Sequence, residues 1–412
     1  MKASPPNPPV ILLGGGANAL SVARNLSRLG TTVYALNEPT AFVRHSRHCK
    51  WIDVPARGNE DRPRAWLEFL LGAESDFLRG AVVLACGDDG IQLLASHRER
   101  LAFKYVLDDS NPDAQMKMLN KLATYEAAVA AGVPTPKFWV IDSPDQIGVL
   151  REALVYPLIV KPRLSHIFEG RSGKKLIVAN DFEETTSAVQ GMLAAGAECL
   201  LMEMIPGPDD RLCSYYTYLD ADSRPLFHFT KRIIRRYPLL RGMACYHVTD
   251  WIPEAGEIAN RLFKHVGLRG IANVEFKLDE RDGQLKLIEC NARFTASDCL
   301  VARSGCNLAA FVYCRLTGKP LPPMKLSPTA KYLWDPIRDF QAFLALRQLG
   351  QLTFTGWVKS VLHRQSFAYF SWSDPMPALA RLTMPLRKLL TRIRRTRVEP
   401  SAPAAPAAEV TA

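Results

Sequence analysis

The sequence predicts a doubly wound α/β domain, then a mixed α+β region, and finally a helical C-terminal extension. In the first ~110 residues, short apolar strands alternate with helices, which is the pattern of a parallel sheet covered by helices. From Lys137 onward, strands and helices mix and lead into a long β-hairpin. After a proline-rich linker, residues 331–395 show helical periodicity with Trp and Phe anchors. A chain of 412 residues accommodates two to three domains of ~150 residues each.

The N-terminal segment is typical of a strand, a glycine turn, a helix and a second strand. Its predicted elements are a strand at 10–13, a turn at 14–16, a helix at 19–29, a strand at 32–36, and strands within 81–90 and 104–109. We therefore predict a disordered arm at residues 1–9 and a Rossmann-like domain at residues 10–113.

The central region, residues 114–318, is predicted to combine helices and strands. A helix over 114–131 ends at AGVPTP, whose glycine and prolines stop it. The remaining predicted elements are strands at 137–141, 158–162, 175–179, 200–205, 214–220 and 225–234, a helix at 257–266, and the hairpin IANVEFKLDERDGQLKLIECNA. We predict a helical extension at 319–395 and a disordered tail at 396–412.

Composition and charge exclude some classes of protein. No window approaches ~18 uncharged apolar residues, so no membrane span is indicated. The nine cysteines contain no C-x-x-C pair, which favours reduced thiols and a cytoplasmic location. The net charge of +11 is concentrated partly in LRKLLTRIRRTR, residues 386–397, which predicts a short basic amphipathic helix. It is either docked with a solvated basic face or makes weak contact with a membrane surface; no nucleic-acid partner is expected.

The stretch LIECNARF, residues 287–294, places a carboxylate, an amide and a guanidinium on one face of a strand. Glu289, Asn291 and Arg293 alternate with apolar residues, and side chains two apart in a strand share a face. Glu275, on the first strand of the hairpin, lies directly opposite Glu289 if the turn has three residues. A five-residue loop makes the two acids diagonal neighbours, and a loop of two or four residues places them on opposite faces.

Two facing carboxylates repel each other on a half-buried sheet, and a hard divalent cation removes that cost. Carboxylate and amide oxygens beside phosphate oxygens are the ligands that Mg²⁺ prefers. Arg293 could then bind a phosphate through two hydrogen bonds. The alternative is a solvent-exposed sheet face on which Lys277 and Arg293 pair with the glutamates.

Two segments upstream favour a nucleotide site. In PLIVKPR, Lys161 ends an apolar strand and precedes the loop RLSHIFEGRSGKK, so that it could point into a cleft beneath a lid. In LLMEMIPG, an apolar strand ends at Glu203, and the backbone of the stiff segment that follows suits the edge of an adenine.

Taken together, the ordered motifs resemble the ATP-grasp superfamily, nearest to the branch of carbamoyl-phosphate synthase large subunits and carboxylate–amine ligases. The motifs that carry this resemblance are NKLATYEAAVAAGVPTP, YPLIVKPR, LLMEMIPG, TKRIIRRYP, NVEFKLD and LIECNAR. The resemblance covers roughly residues 10–318. It implies an ATP-grasp domain at 114–318, with lobes of about 114–205 and 206–318, preceded by the α/β domain that usually precedes this fold.

The resemblance also implies a role for each matching residue. The residues expected to bind ATP are Lys121, Lys161, Lys174 or Lys175, Glu203, Met204, Ile205 and, as a weaker candidate for the ribose, Asp210. Those expected to bind Mg²⁺ or Mn²⁺ are Glu275, Glu289 and Asn291, and those expected to contact the transferring phosphate or the carboxylate are Arg232 and Arg293. In this family ATP phosphorylates a carboxylate to an acylphosphate, which an amine or a similar nucleophile then attacks. Small-molecule carboxylate and amine substrates are therefore the expected partners, and the oligomeric state stays open.

The chain departs from the family pattern at two places. The loop after Lys161 has only Gly170 and Gly173 where the family usually carries several closely spaced glycines, which puts backbone contacts to phosphate in doubt. Met202 replaces the usual glutamine before the hinge glutamate, and we expect this to affect only an edge contact.

Two other functions compete with a ligase. Gly14-x-Gly16-x-x-Ala19 after the first strand fits the pyrophosphate fingerprint of an NAD(P)- or FAD-dependent oxidoreductase, with Glu38 as the ribose acid. The chain could also be a regulatory protein that binds ATP without catalysis. The presence of all four hairpin residues argues against that second alternative.

Overall fold

The computed structural model describes residues 7–56, 58, 61–162 and 176–384. Within these residues the strands form three sheets of five, seven and four strands. No helix in the described ranges is long and apolar enough to cross a membrane. All nine cysteines lie in these ranges, and all are free thiols. The predicted basic helix at 386–397 and the tail at 396–412 lie outside the described residues.

The N-terminal sheet is parallel and has the strand order β3-β2-β1-β4-β5. Its strands are β1 (Val10–Leu13), β2 (Val33–Leu36), β3 (Lys50–Trp51), β4 (Val82–Ala85) and β5 (Val106–Leu107). The helices of this region are α1 (Ala17–Ser27), α2 (Arg62–Leu71), α3 (Asp88–Ser96) and α4 (Arg98–Ala102). Val10 and Leu12 pack with α1, while Ile11 and Leu13 pack with α2 and α3 on the other face. The predicted doubly wound α/β arrangement is therefore confirmed.

Two helices occupy the range where the sequence predicts one over 114–131. They are α5 (Pro112–Leu119) and α6 (Lys121–Ala130). Asn120 separates them because its backbone is extended and its side chain accepts a hydrogen bond from the N–H of Ala123, which makes it the N-cap of α6. Lys121 consequently occupies the first position of a helix.

The four-stranded sheet is antiparallel, with the strand order β6-β9-β7-β8. Its strands are β6 (Phe138–Ile141), β7 (Leu158–Pro162), β8 (Ile177–Ala179) and β9 (Cys199–Glu203), and its helices are α7 (Gln146–Leu150) and α8 (Phe182–Ala194). Val189 and Met192 of α8 pack into one core with Val160 and Leu201 of the sheet.

The seven-stranded sheet has the order β14-β13-β10-β11-β12-β15-β16. Its central strands are β10 (Leu212–Leu219), β11 (Phe229–Tyr237), β12 (Met243–Thr249), β13 (Gly270–Asp279) and β14 (Gln284–Asn291). Helix α9 (Pro253–Val266) packs its apolar stripe on one face of the sheet and ends at Gly267 in the left-handed conformation. The opposite face of β13 and β14 carries the polar side chains predicted from LIECNARF.

The C-terminal extension adds two strands to this sheet, a feature that the sequence analysis did not predict. The strands are β15 (Tyr332–Trp334) and β16 (Gln365–Phe367), and β15 pairs with β12. The helices after the hairpin are α10 (Asp298–Arg303), α11 (Leu308–Leu316), α12 (Pro336–Gln348), α13 (Phe354–Val361) and a helical segment over 376–384. The short strands were missed because three residues carry too little alternation to be distinguished from a loop.

Two buried aspartates attach the extension to the rest of the molecule. Asp339 accepts hydrogen bonds from Arg235 of β11 at 2.6 and 3.0 Å and from the indole N–H of Trp334 at 2.9 Å. Asp374 accepts from Arg24 of α1 at 2.9 Å and from Ser46 at 2.7 Å. The extension therefore links the large sheet to the N-terminal domain.

Candidate active site

The two glutamates of the hairpin lie directly opposite each other. Glu275 of β13 pairs with Glu289 of β14. The connecting loop has four residues, 280–283, because Asp279 pairs with Gln284. By itself such a loop would place the two acids on opposite faces of the sheet.

A β-bulge at Ile288 brings the acids back to one face. Phe276 pairs with Leu287 and the next pair is Glu275 with Glu289, so Ile288 is an additional residue on β14. Tyr125 of α6 donates a hydrogen bond to the carbonyl of Ile288 at 2.7 Å and thereby holds the bulge. The predicted juxtaposition of the two acids is thus present, but it is achieved by a bulge rather than by the loop length.

The environment of the acids disfavours two negative charges. Burial raises the pKa of Glu275; Lys231 acts to lower it, and the charge of Glu289 raises it further. On the same face, Ser214 Oγ and Asn273 Oδ1 are buried and have no hydrogen-bond partner among the described residues. Ser214 pairs with Glu275, and Asn273 pairs with Asn291, so both groups are part of the same cluster.

These residues fit a hydrated divalent cation. Among the described residues no three His, Cys, Asp or Glu side chains are grouped to hold a metal. A metal on this face would therefore take the two carboxylates, the amide of Asn291, and oxygens of water or substrate. Mg²⁺ is usually bound in this way, with few protein ligands and with substrate phosphates. The unpartnered oxygens of Ser214 and Asn273 would accept hydrogen bonds from its water molecules.

Arg293 follows the hairpin and points toward the N-terminal domain. Its Nε donates to Asp88 Oδ1 at 2.6 Å, and its Nη1 donates to the carbonyl of Phe294 at 3.3 Å. Burial acts to lower the pKa of Arg293, but Asp88 and Glu289 raise it on balance. The guanidinium therefore lies between the hairpin acids and the first turn of α3.

Arg232 does not share this face. In β11, Lys231 is in register with Ser214, whereas Arg232 is in register with Cys213 on the opposite face. There, Arg232 donates to Asp250 at 2.8 Å. The expectation that Arg232 contacts the transferring phosphate is not met by this register.

Lys231 is the basic residue that β11 contributes next to the glutamates, and the sequence analysis did not select it. Its side chain is 2% exposed, and burial lowers its pKa while Glu275 raises it. Its Nζ lies 3.3 Å from Nδ1 of the buried His247. The alternation Lys231, Ile233 indicates one face, which a bulge before Arg235 interrupts, and only the pairing with β10 identifies which face that is.

Lys161 and Lys121 approach the acids from the other lobe. Nζ of Lys161 lies 5.1 Å from the ring centroid of Tyr125 and 3.6 Å from the sulfur of Met202. Burial and, to a lesser extent, the charge of Lys121 lower the pKa of Lys161 to about 7, while the charge of Glu289 opposes this effect. The two lysines and Glu289 thus act on one another across the cleft. Met202, expected at the edge of the adenine site, contacts Lys161 instead.

Lys174 and Lys175 lie outside the described residues, as does the loop after Lys161. Their predicted contact with phosphate stays a prediction.

The hinge glutamate, Glu203, accepts hydrogen bonds from two other residues of the protein. Glu203 Oε1 accepts from Arg281 at 2.6 Å, and Oε2 accepts from the backbone N–H of Lys137 at 3.2 Å. Arg281 belongs to the hairpin loop, so this pair links the end of β9 to the hairpin. A direct contact between Glu203 and adenine stays a prediction.

Lys277 holds the backbone that follows Glu203. From the sequence, Lys277 was an alternative partner of the hairpin glutamates. Lys277 donates to the carbonyls of Ile205 at 2.9 Å and Gly207 at 2.7 Å. The N–H of Met204 donates to the carbonyl of Pro157 at 3.2 Å. The carbonyl of Met204 and the N–H of Ile205 have no partner in the described part of the chain, and this acceptor and donor match an adenine edge.

Asp210, the predicted ribose ligand, lies in the short segment before β10. Its carboxylate is 3.9 Å from Nη1 of Arg211 and is half exposed. Its role with the ribose stays a prediction.

The glycine turn of the N-terminal domain is explained by packing. A Cβ on Gly15 would lie 2.5 Å from Cβ of Cys86, and the φ of Gly15 is +89°, so only glycine fits. The N–H of Gly16 donates to the side chain of Asn18, which in turn donates to the carbonyls of Cys86 and Phe294. The donor that would bind a dinucleotide pyrophosphate is therefore used internally, which disfavours the oxidoreductase alternative.

The chain matches known proteins in both sequence and fold. Residues 253–321 match the family described as the ATP-binding domain of the carbamoyl-phosphate synthase L chain, and this range contains the whole hairpin. D-aspartate ligase of Enterococcus faecium (strain Aus0004) is 26% identical over 326 residues, which are 73% of this chain and 75% of the ligase.

Solved structures are similar to this chain in fold. N5-carboxyaminoimidazole ribonucleotide synthetase in complex with ADP superposes with a TM-score of 0.60 at 18% identity, covering 84% of this chain and 85% of that chain. The biotin carboxylase domain of the Hydrogenobacter thermophilus 2-oxoglutarate carboxylase, solved with MgADP, ADP and bicarbonate, has a TM-score of 0.60 at 17% identity. It covers 78% of this chain and 73% of its own.

Proposed function

We infer that this chain, an ATP-grasp protein as its ordered motifs predicted, is an ATP- and Mg²⁺-dependent ligase that activates a carboxylate for attack by an amine. One observation supports this function above the others. The facing pair Glu275 and Glu289 lies within electrostatic reach of Lys161, which comes from the other lobe. Two facing, half-buried acids and a buried lysine destabilise an apo protein, but they match Mg²⁺ and the phosphates of a nucleotide.

The positions of the residues suggest which part of ATP each of them would bind. The carbonyl of Met204 and the N–H of Ile205 would bind the adenine edge. Lys161 and Lys121 would neutralise the phosphates. Mg²⁺, when bound by Glu275, Glu289 and Asn291, supplies positive charge to the phosphate oxygens.

The reaction needs positioning and charge neutralisation more than covalent help from the protein. An oxygen of the substrate carboxylate forms a bond to the γ-phosphorus as the bond to the β-phosphate oxygen breaks, and ADP leaves. The amine nitrogen then attacks the acyl carbon, phosphate leaves with the oxygen that carried it, and the nitrogen loses a proton. Arg293, which contacts Asp88 of the N-terminal domain, and Lys231, which shares the face of Glu275, would stabilise the negative charge that develops on the transferring group.

The name of the sequence relative guides the choice of substrate. We propose D-aspartate as the first carboxylate to test, because the relative is a D-aspartate ligase and because the guanidinium of Arg293 lies beside the hairpin acids, where it can pair with an anion. We place the reaction in the cytoplasm because all nine thiols are free. Membrane contact by residues 386–397 stays a prediction.

The test is ATP-dependent phosphate release with Mg²⁺ and D-aspartate or another amino acid, with a panel of amines, followed by mass spectrometry of the product. We expect carboxylate-dependent release in the native chain and in Glu254→Gln, which changes an exposed acid of α9. Glu289→Gln should abolish it. ADP binding without stimulation by any carboxylate would overturn the ligase and would favour the regulatory alternative.

A further inference from the structure

A cavity lies where helix α1, helix α10 and the C-terminal extension meet. It measures about 70 Å³, which is room for a few water molecules or one small anion. Three of the residues that line it are arginines: Arg24 and Arg28 from the end of α1, and Arg303 from the end of α10. The extension contributes Phe367 and Phe370. None of these five residues belongs to the candidate active site.

Arg24 is a buried and fixed part of the cavity wall. It is 7% exposed. Its Nε donates to the carboxylate of Asp374 at 2.9 Å, and its Nη2 donates to the carbonyls of Tyr369 and Asp374 at 2.8 and 2.9 Å. Its Nη1 has no hydrogen-bond partner in the described part of the chain. One nitrogen of a rigidly held guanidinium is therefore available to a ligand.

The other two arginines of the cavity have no carboxylate partner. Arg28 makes one long hydrogen bond, from Nη1 to Oδ1 of Asn25 at 3.5 Å. Neither Arg28 nor Arg303 forms an ion pair within residues 7–56, 58, 61–162 and 176–384. Each ends a helix, where a cation is favourable by itself. That preference does not explain why both line the same cavity as Arg24.

Two buried acids near the cavity leave part of this positive charge uncompensated. Asp374 is already paired with Arg24 at 2.9 Å. Asp298 accepts a hydrogen bond from Ser21 of α1 at 2.7 Å, and burial raises its pKa to about 7, so its negative charge is partial at neutral pH. Positive charges that line one cavity repel each other, and a bound anion removes that cost.

A phosphate group matches this set of donors better than a carboxylate does. Guanidinium groups bind phosphate through paired N–H···O hydrogen bonds, and a tetrahedral phosphate offers oxygens to donors from several directions. A planar carboxylate has only two oxygens and a single charge. The rings of Phe367 and Phe370, with centroids 6.0 Å apart, add an apolar wall beside the arginines.

We propose that this cavity binds a phosphate group, supplied either by inorganic phosphate or by a phosphomonoester whose organic part lies against the two phenylalanine rings. The inference goes beyond the proposed function and does not depend on it. A phosphate bound there would connect α1, α10 and the extension at the place where Arg24 already holds the backbone of Tyr369 and Asp374.

The test is calorimetric titration of the full chain with inorganic phosphate and with phenyl phosphate, in chloride buffer at constant ionic strength. We expect Arg28→Gln and Arg303→Gln each to weaken phosphate binding about tenfold, as expected when a hydrogen bond from a charged donor is lost. The matched control is Arg347→Gln, which changes an exposed arginine at the end of α12 and should bind phosphate as the native chain does. Thermal unfolding in chloride buffer shows that each variant is folded.

Lys161→Met separates this cavity from the nucleotide site, because phosphate could also bind between the lobes. Binding at the cavity should persist in that variant. Tighter binding of phenyl phosphate identifies the ligand as an organic phosphate, and equal or weaker binding identifies free phosphate; both support the site. The proposal is overturned if the native chain binds neither ligand, if Lys161→Met alone abolishes binding, or if Arg28→Gln and Arg303→Gln together leave the affinity unchanged. None of these results decides whether the chain is a ligase.

Discussion

Replacing Lys161 with methionine should stabilise the protein and at the same time weaken its binding of ATP. The side chain is 6% exposed, and its nearest partners are the ring of Tyr125 and the sulfur of Met202. Neither partner compensates a full positive charge as a carboxylate would. The lysine therefore lowers stability in the absence of nucleotide.

The size of this loss of stability follows from the pKa of Lys161, which burial lowers from 10.5 to about 7. The unfolded chain binds the proton below about pH 10.5, whereas the folded chain binds it only below about pH 7. The stability penalty is therefore complete below pH 7, shrinks as the pH rises, and vanishes above the ordinary pKa. At pH 7 it amounts to about 4 kcal/mol.

We expect Lys161→Met to raise the free energy of unfolding at pH 7 by about 2–4 kcal/mol, since methionine fills the same space without a charge. At pH 9.5 the difference should be clearly smaller. Urea titrations followed by intrinsic fluorescence report this, because Trp139 lies in the same four-stranded sheet. The control is Lys117→Met, which changes an exposed lysine of α5 and should alter stability little at either pH.

The effect of this substitution on ATP binding is measured by calorimetry with Mg²⁺-ATP. Lys161→Met should weaken ATP binding at least about tenfold, as expected when a charged hydrogen bond is lost. Because phosphates restore the ordinary pKa, the native chain should take up about half a proton per ATP at pH 7 and nearly one at pH 8. A variant that is less stable than Lys117→Met at pH 7, or that binds ATP as tightly as the native chain, would refute the reasoning.

Four further substitutions test other parts of the structure. Glu275→Gln and Glu289→Gln should each abolish Mg²⁺-dependent phosphate release without lowering the melting temperature in metal-free buffer, because each removes one of two repelling acids; clear destabilisation would contradict this. Lys277→Met should weaken ATP binding about tenfold, because the hinge carbonyls lose their donor; unchanged affinity by calorimetry would rule out that role. Asp339→Asn should loosen the C-terminal extension by about 3–5 kcal/mol, because it leaves the buried guanidinium of Arg235 unpaired; limited proteolysis should then cut the extension faster, and resistance equal to the native chain would count against the anchor.

The hairpin acids could be predicted from sequence because alternation in a strand is local. Glu289 and Asn291 share a face because they are two residues apart in β14, Arg293 follows just beyond the strand, and the three residue types indicate a metal and a phosphate. The pairing with Glu275 depended on the turn, and the turn alone predicts the wrong face. The bulge at Ile288 could not be foreseen because a hydroxyl from α6, more than a hundred residues away, stabilises it.

The face on which Arg232 lies could likewise not be predicted from the sequence. The run TKRIIRRYP offers basic residues on both faces of β11, and its alternation alone does not say which face meets the acids. The pairing between β11 and β10 shows that Lys231, and not Arg232, lies on the face of the acids. A shift of one residue in register would have reversed the outcome.

The hinge and the extension depend on contacts that no local pattern encodes. Lys277 lies on the same strand as Glu275 but reaches the hinge carbonyls, and Arg281 reaches Glu203 across the cleft. Strands β15 and β16 can form although they are only three residues long, because β12 at the edge of the sheet supplies hydrogen-bond partners to β15, which in turn pairs with β16.

By itself, the sequence predicted the doubly wound N-terminal domain, the ATP-grasp motifs and the shared face of Glu289 and Asn291, since each is set by periodicity or by residues close together in the chain. Tertiary structure decided which basic residue of β11 shares a face with the hairpin acids, how the hinge backbone is held, and that the extension joins the large sheet to the N-terminal domain. These features depend on strand register and on side chains from distant segments, and their energies exist only once the lobes are packed together.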